Sequence, residues 1–404
     1  MFARVFCFLC LAATSQALAL QLDAIAERVR TQHPALKAAR LAIDEARGRQ
    51  LAAGRLPNPA LETSFQNESR VSPRTTVFSL DQSFPLTRRL SLEKKLSTQL
   101  VQAAELEVQD VERRLIAEAR TLAVQLLALD QHLMLHRQQM DLARRLSAFA
   151  RERAKSGEVS PLDAAQAQVD LQRLLLETRR MEAARLGLVG QLKPMLGLGE
   201  TEPLQLQGDL THITLPIVRS WRARPDYLLA QTKSEAARTE ADLAKAKRWQ
   251  DVSAGFFAAR EQQDVTPRHT ERTGFVGFRI SIPLPLWNRN QGEVAEKAAS
   301  AERARLEQEA LAAHIRSEAA TAHQEMEANA ALLRETRDEF LPLVMEQTAK
   351  LEKAYAAGQA DLLTLLRAHD QRLELESGAL DAARDFHLAR IRYETATFIT
   401  PLKP

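Results

Sequence analysis

Two stretches of the chain, 88–155 and 288–357, are far longer than an ordinary helix and contain almost no residue that would end one. Pro342 is their one internal proline, and glycine is scarce in both. At about 1.5 Å per residue, each stretch would form a helix roughly 100 Å long. A rod of this length cannot bury its apolar side within one compact domain. We therefore expect each rod to pack against the rest of the chain or against other subunits.

The apolar residues of the first stretch follow the spacing that is typical of supercoiled helices, four and three residues apart in turn. They are Leu115, Ala119, Leu122, Leu126, Leu129, Leu133 and Met140, with His136 at one expected place. Spacings of seven continue at Leu162, Val169, Leu176 and Ala183, and again at Leu366, Leu373 and Leu380. The composition agrees, since 26% of the residues are charged and only 5% are aromatic. The sequence therefore predicts coiled-coil-like helices packed side by side.

The order of segments occurs twice along the chain. An alanine-rich helix, opening at Pro34 and again at Pro225, is followed by two β-like segments, a very long helix broken at a glycine, and a return helix. This internal duplication predicts a first structural repeat at 20–203, a linker at 204–218 and a second repeat at 219–404.

Each repeat carries a pair of β-like segments separated by a polar turn: 60–66 with 75–84, and 252–259 with 274–283. The apolar positions that alternate along the last segment are Val276, Phe278, Ile280 and Ile282. The polar positions of the first pair, interpreted as facing a lumen, are Glu62, Gln66, Thr75 and Asp81. Strands of about 9–11 residues with polar loops suit an outer-membrane barrel. Four strands cannot close a barrel alone, but three copies of the chain could.

Residues 1–19 have the pattern of a secretory signal peptide, with Arg4 in a short basic region, an apolar stretch and small residues before the cleavage site. We expect cleavage between Ala19 and Leu20. Both cysteines fall within this segment, so the exported chain is expected to have no disulfide. No later stretch offers about 18 uncharged apolar residues, so a helical membrane span is not expected.

The remaining composition argues against an enzyme and against a nucleic-acid partner. The formal net charge is only +3, and the charges are interspersed. Phosphate-binding loops, Gly-x-Ser-x-Gly elbows and HExxH motifs do not occur. His132 and His136 have a spacing that can hold a metal, but His136 falls on the apolar seam, so packed histidines are the favoured interpretation. We expect no catalytic residue, cofactor or metal site.

Several motifs, together with the segment order, resemble one known family over essentially the whole mature chain. They are Pro34 with its alanine-rich helix, Gly157–Asp163 followed by Ala167-Gln168, Leu192–Leu198, and Pro283–Gly292. The chain resembles the TolC-like outer-membrane efflux proteins. The segment Pro283–Gly292 is especially similar to the CzcC-type branch, whose members are ducts for heavy-metal cation exporters of the RND type.

This resemblance implies a homotrimer in the outer membrane. Three subunits would form a twelve-stranded β-barrel in contact with lipid, and a long α-helical tunnel would extend into the periplasm. The linker 204–218 would belong to an equatorial belt. The duct would be passive, with an inner-membrane RND pump supplying the driving force and a periplasmic adaptor joining the two.

The same resemblance places the two helix-to-helix turns at the periplasmic tip, where such ducts close and adaptors dock. The tip residues would be Gly157, Ser160, Leu162, Asp163, Gly358, Asp361, Leu362 and Leu363. Glycine ends a helix in a left-handed conformation and Ser or Asp caps the next one, so plain helix capping is the alternative interpretation. Some family members place an acidic ring after the second turn, where this chain has Thr364 and Arg367. Asp163 would supply three carboxylates to a possible tunnel constriction formed with those two residues.

Two other functions fit parts of the pattern. A duct of this kind could serve multidrug efflux or type I secretion in place of metal export. A periplasmic structural coiled-coil protein would explain the heptads, but it would not need two strand pairs at equivalent positions.

Overall fold

The computed structural model describes residues 19–67, 74–216, 220–266 and 269–397. Its α-helices are α1 (Ala24–Gln32), α2 (Pro34–Ala52), α3 (Arg89–Lys155), α4 (Pro161–Met195), α5 (Pro225–Ala246), α6 (Gln291–Glu335), α7 (Leu341–Ala356) and α8 (Leu362–Thr397). Its strands are β1 (Ala19–Gln21), β2 (Ala60–Asn67), β3 (Arg74–Phe84), β4 (Gln205–Gln207), β5 (Val252–Thr266) and β6 (His269–Ser281). The predicted fold class, mainly α with a small β part, is confirmed. Most of the predicted signal segment lies outside the described residues.

The chain divides into two compact units that do not coincide with the sequence repeats. Among the described residues, the helical unit comprises those up to Lys37, those within Val111–Trp221 and those from Ile315 to Thr397. The sheet unit comprises Ala38–Asp110 and Arg222–His314. Each unit thus takes segments from both halves of the chain, and the two halves have the same order of helix, strand pair, long helix and return helix.

The helical unit has apolar cores along its length. Near α1, Ile25 and Val29 pack with Leu126 of α3 and Leu192 of α4, and each of these four is at most 1% exposed. A second core joins α6 to α8 around Phe386, which is fully buried. These cores match the expectation that the long helices bury their apolar sides against one another.

The predicted linker 204–218 also packs into the helical unit where it is described. β4 pairs with β1 in a parallel ladder, Leu20 opposite Leu206. Leu204 and Leu210 on either side of β4 are buried. Residues 217–218 of the linker lie outside the described part of the chain.

The two predicted apolar seams of the first repeat have different environments in the structure. On α3, Ala119, Leu126 and Leu133 are buried, and His136 is buried at its place in the same seam. On α4, most of the predicted seam is exposed. Its exposed members include Leu162 at 76%, Val169 at 59% and Leu176 at 52%. The spacing predicted two packing surfaces, but only the α3 surface is covered by this chain.

The second long stretch, predicted as one rod, is interrupted by one turn of π-helix at Thr336–Phe340. In this turn the backbone N–H of Leu341 donates to the carbonyl of Thr336. Pro342 follows at the start of α7 and has no N–H to donate in the ordinary pattern. A wider turn before the proline lets the chain continue as a helix, so the proline deforms the rod without ending it.

The sheet unit contains a four-stranded antiparallel sheet in the order β2-β3-β5-β6. The strands of the second pair are longer toward their connecting turn than the predicted 252–259 and 274–283. The sequence pattern missed this extension because the residues there are polar, whereas the backbone ladder continues whatever the side chains are. At the other end β6 stops at Ser281, before Pro283, which could not donate to the ladder.

Candidate functional site

One face of the sheet is apolar and exposed. Side chains of directly paired residues point to the same face, so the register defines rows across the sheet. One row is Leu61, Leu80, Phe256 and Phe278, and the next is Thr63, Phe78, Ala258 and Val276. In these rows Phe278 is 84% exposed, Leu61 74% and Val276 70%. Such a surface is stable only against an apolar medium or another protein.

The opposite face of the sheet is largely polar. The residues that the sequence interpretation assigned to a lumen are Glu62, Gln66, Thr75 and Asp81, and the register places all of them on this face. Here the hydroxyl of Ser79 donates to the carboxylate of Asp81 at 2.9 Å. The two faces of the sheet therefore alternate in polarity along each strand.

None of the described helices is long and apolar enough to cross a membrane.

The first helix-to-helix turn ends α3 and starts α4. Gly157 has φ +76°, a left-handed conformation that glycine adopts without strain. The backbone N–H of Glu158 donates to the carbonyl of Arg153 at 3.0 Å, which closes the end of α3. Ser160 caps α4 by accepting from the backbone N–H of Leu162 at 3.2 Å.

The second turn repeats this arrangement with one chemical change. Gly358 has φ +75°, and the backbone N–H of Gln359 donates to the carbonyl of Ala354 at 2.8 Å. Asp361 takes the capping role of the serine, with its carboxylate accepting from the backbone N–H of Thr364 at 2.6 Å. Hydrogen bonds from the side chain and backbone of Thr364 hold the pKa of Asp361 below its usual range. The geometry is that of helix caps at both turns.

The structure brings the two turns together. Ala150, Ala167 and Leu362 form a small buried core that joins the end of α3, the start of α4 and the start of α8. Above it, the rings of Phe149 and Tyr355 meet edge to face with centroids 6.2 Å apart. Leu362 is only 3% exposed, so its side chain serves this packing.

The other predicted tip residues are more accessible. Leu162 is largely exposed and Leu363 is half-buried. Of the residues predicted at a constriction, Thr364 and Arg367 are exposed and Asp163 is half-buried in the first turn of α4.

Polar contacts also join the helices of the two halves behind the turns. Arg173 of α4 pairs with Asp370 of α8 at 2.9 Å. The side-chain amide of Gln139 donates to the backbone carbonyl of His369 at 3.3 Å. The Nε2 atom of His369 lies 3.4 Å from a carboxylate oxygen of Glu352. Burial lowers the pKa of His369, so the neutral imidazole is favoured inside this bundle.

The two histidines weighed as metal ligands are both buried and lie beside different carboxylates. His132 Nε2 is 3.3 Å from Asp381, and His136 Nδ1 is 3.9 Å from Glu177. Among the described residues, no group of three or more His, Cys, Asp or Glu side chains is arranged to hold a metal ion. Burial lowers the pKa of His136, which agrees with a packed neutral ring.

Sequence reasoning missed a cavity of about 460 Å³ in the helical unit, beside the β1–β4 pair. Its lining includes Asp209, His212 and His387. His387 Nε2 lies 3.0 Å from the carbonyl of Leu210, and burial lowers the pKa of its imidazole. Asp209 and His212 follow the three-residue strand β4, and His387 lies on α8. A strand this short leaves no periodic signal in a sequence.

Several solved structures have the same fold as this chain. The channel CusC matches with a TM-score of 0.77 at 16% identity, over 94% of this chain and 92% of that one. VceC, an outer-membrane protein of Vibrio cholerae, matches with a TM-score of 0.76 at 17% identity, over 93% and 95%. The chain has the fold of the TolC-like outer-membrane efflux channels. The resemblance predicted from the sequence is thereby confirmed.

Two further comparisons bear on the TolC-like fold and its branches. The cobalt-zinc-cadmium resistance protein CzcC of Cupriavidus metallidurans is 22% identical over 89% of this chain and 82% of its own length. The outer-membrane channel OprN matches with a TM-score of 0.79 at 18% identity, over 93% and 89%. No family model matches the chain.

Proposed function

We propose that this chain is the outer-membrane channel of a tripartite RND-type efflux system. It conducts substrate passively out of the cell and is not an enzyme. One observation carries the proposal: the sheet presents an exposed apolar face, including Phe278 at 84% exposure, and a polar face on its other side. A β-barrel in a bilayer needs this division between lipid and an aqueous lumen. The fold shared with CusC and VceC supports the same location.

The working form is a homotrimer. A sheet of four strands ends in β2 on one side and β6 on the other, and lipid does not tolerate such open edges. Three copies joined edge to edge would form a closed barrel of about twelve strands, an even number typical of outer-membrane barrels.

The exposed seam of α4 supports the same assembly in the periplasm. Val169 and Leu176 lie seven residues apart, and each is more than half exposed. Heptad seams are surfaces for packing against another helix. A neighbouring subunit provides that helix and completes an α-helical tunnel.

The two turns form the periplasmic tip, where the tunnel is narrowest and the adaptor binds. The mostly exposed Leu162 and the half-buried Leu363 are the apolar contacts offered to the adaptor. Asp163 and Arg367 from three subunits would surround the opening with both signs of charge. Conductance measurements on planar bilayers test this: Asp163→Asn should lower the preference for cations, and Arg367→Gln should raise it. Unchanged ion selectivity in both variants would remove these residues from the constriction.

The substrate we propose is a heavy-metal cation. The similarity to the cobalt-zinc-cadmium resistance protein CzcC, over most of both chains, supports this choice. The pump supplies the driving force and the adaptor joins pump and channel, so specificity lies mainly outside this chain.

Deletion of the gene in its own host tests the proposal. We expect lower tolerance of cobalt, zinc and cadmium, with tolerance of drugs and secretion of proteins unchanged. Loss of drug tolerance alone would favour a multidrug channel, and loss of protein export would favour type I secretion. The purified protein should be a trimer in detergent and should conduct ions in a bilayer. A stable monomer soluble without detergent would contradict the channel and favour a periplasmic coiled-coil protein.

A further inference from the structure

Four short segments connect the sheet to the helices, and they all lie at the same end of the sheet. They are the α2–β2 junction (53–59), the β3–α3 junction (85–88), the α5–β5 junction (247–251) and the β6–α6 junction (282–290). The antiparallel register places them together, since Phe84 pairs with Val252 and Ser253 with Ser281. Together we call these segments the collar.

Hydrogen bonds and ion pairs hold the collar junctions side by side. The first and second are joined where the amide of Gln82, close to the end of β3, donates to the carbonyl of Pro57 at 2.9 Å. Arg89, the first residue of α3 after the second junction, pairs with Asp251 of the third at 2.6 Å. Lys247 of the third junction lies 3.4 Å from Glu293 in the first turn of α6, directly after the fourth. The collar is thus a built surface with a fixed order of segments.

Each junction exposes an arginine. These arginines are Arg55, Arg88, Arg248 and Arg289. Within the part of the chain that the structure describes, none of their guanidinium groups has a hydrogen bond or ion pair, in contrast to Arg89 beside them. The collar contains one acidic residue, Asp251, and Arg89 already neutralises it. Four unpaired cations therefore remain on this surface.

Each junction also exposes a large apolar side chain within two residues of its arginine. These side chains are Leu56 at 50% exposure, Leu86 at 57%, Trp249 at 42% and Trp287 at 88%. They continue the apolar face of the sheet, because Phe84 and Ile282 at the strand ends are also exposed. Strands β2, β3, β5 and β6 contain no Tyr or Trp, so the tryptophans near the described sheet lie in the collar.

Tryptophan beside arginine is suited to the boundary between lipid tails and headgroups. The indole ring sits at headgroup level, and an arginine near its end of the membrane can reach the phosphates. A guanidinium group makes paired hydrogen bonds to phosphate oxygens. In a zwitterionic lipid the headgroup's own cation already compensates the phosphate charge, whereas in an anionic lipid it does not. Four cations without protein partners therefore complement a surface with net negative charge.

We propose that the collar binds the headgroup phosphates of anionic phospholipids in the leaflet where the sheet meets the helices. This inference rests on the proposed membrane location of the sheet, and it adds a preference for one class of lipid. The selective element is the set of four arginines, and Trp287 marks its depth in the bilayer.

A tryptophan reporter tests the proposal on the full-length protein. The chain has three tryptophans, so Trp221→Phe with Trp249→Phe leaves Trp287 as the single fluorophore. The protein is reconstituted in vesicles of phosphatidylethanolamine with a minor fraction of phosphatidylglycerol. In paired samples, an equal fraction of either lipid carries brominated chains, which quench indole on contact. We expect quenching by phosphatidylglycerol to correspond to a local enrichment of about five-fold, and high salt should reduce this enrichment.

Charge variants identify the element that selects the lipid. Arg248→Gln with Arg289→Gln should bring the two quenching values close to equality. The matched control removes two exposed arginines from α4, Arg179→Gln with Arg180→Gln, and should retain the enrichment. Equal quenching by both lipids in the parent protein, or enrichment that survives loss of the collar arginines, would overturn the proposal.

A second reporter separates failure of this inference from failure of the proposed function. Phe278→Trp in a chain whose native tryptophans are all phenylalanine places the fluorophore on the apolar face of the sheet. Suppose that both brominated lipids quench the tryptophan at position 278 in this reporter, and that the first reporter shows no lipid preference at Trp287. This result would contradict lipid selection by the collar, but it would leave the membrane location of the sheet standing. Absence of quenching at both positions would contradict the membrane location, and the collar would fall with it.

Discussion

The two units of the molecule use phenylalanine in opposite ways. Phe386 of the helical unit is fully buried between α6 and α8, whereas Phe278 of the sheet unit is 84% exposed. Both residues lie in regular structure and both have aromatic neighbours, His387 beside Phe386 and Phe256 beside Phe278. The helical unit completes much of its own core, and the sheet leaves its apolar side to the surrounding medium. The helical unit is thus stabilised largely within this chain, whereas the apolar face of the sheet needs a surface outside the chain.

The largest expected effect is on this pair of phenylalanines. Phe386→Ala should destabilise the protein by about 3–5 kcal/mol, because it removes apolar contacts and leaves a cavity. Phe278→Ala should cost about half as much, because detergent or lipid tails fill the space. Denaturant midpoints of the two variants in the same detergent would measure the difference. Equal losses would mean that Phe278 is packed against protein in the native assembly.

A charged side chain should reveal the difference between the two faces of the sheet more clearly than a substitution by alanine does. Phe278→Lys places an ammonium group on the apolar face, where a lysine in the bilayer costs about 2–4 kcal/mol near the midplane. Gln66→Lys is the matched control, because Gln66 lies on the polar face of β2. We expect the first variant to fold poorly into vesicles, measured as the urea midpoint of reversible insertion, and the second to insert like the parent. If the lysine at position 66 were the more disruptive one, the assignment of the faces would be reversed.

The sequence predicted which strand residues share a face of the sheet better than it predicted where the strands end. Val276, Phe278 and Ile280 share a face as their alternation predicts, since burial against one medium repeats every second residue. The extension of β5 to Thr266 was not visible, because backbone hydrogen bonds hold that part of the ladder and polar side chains carry no periodic signal. Glu62 and Asp81, which the sequence analysis interpreted as facing a lumen, lie on the polar face of the sheet.

In the helices, periodicity predicted packing surfaces but not the partner of each surface. The seams through Leu126 and through Val169 look alike in sequence, yet the first is buried and the second is exposed. A heptad pattern indicates that a helix packs against another helix, but it does not indicate whether that second helix belongs to the same chain. The capping residues Gly157, Ser160 and Asp361 were predictable because a cap depends on local backbone geometry. Their proposed role in adaptor docking stays a prediction.

A smaller effect concerns stability that does not come from side-chain burial. Gly157→Ala and Gly358→Ala should each cost about 1 kcal/mol, because a Cβ is strained at φ +76° and +75° although nothing lies within 4 Å of it. Gly378→Ala is the matched control, since Gly378 lies inside α8 with open space around it. There the substitution should stabilise the protein by about 0.5–1 kcal/mol through helix propensity. Thermal unfolding of the three variants gives the signs, and a stabilising change at either turn would contradict the left-handed caps.

The smallest expected effect lies in the one chemical difference between the two turns. The pKa of Asp361 is lowered in the folded protein by its hydrogen bonds from Thr364, so the unfolded chain binds a proton there more readily. The stability contributed by this cap is fully present above the ordinary pKa of aspartate and is lost as the pH falls through the lowered value. Ser160 caps the first turn with a hydroxyl, which does not titrate in this range, so this cap makes no such pH-dependent contribution.

Exchanging the two caps isolates this difference. Asp361→Ser removes a capping carboxylate and should flatten the acid limb of a plot of unfolding free energy against pH. Ser160→Asp adds a capping carboxylate and should steepen that limb. Other groups, including the buried His369, contribute equally to all curves and cancel in the comparison. An acid limb that keeps its slope after Asp361→Ser would show that the carboxylate is not held by Thr364 in solution. The caps of the two turns would then be equivalent, and the asymmetry of the tip would rest on Asp163 and Arg367 alone.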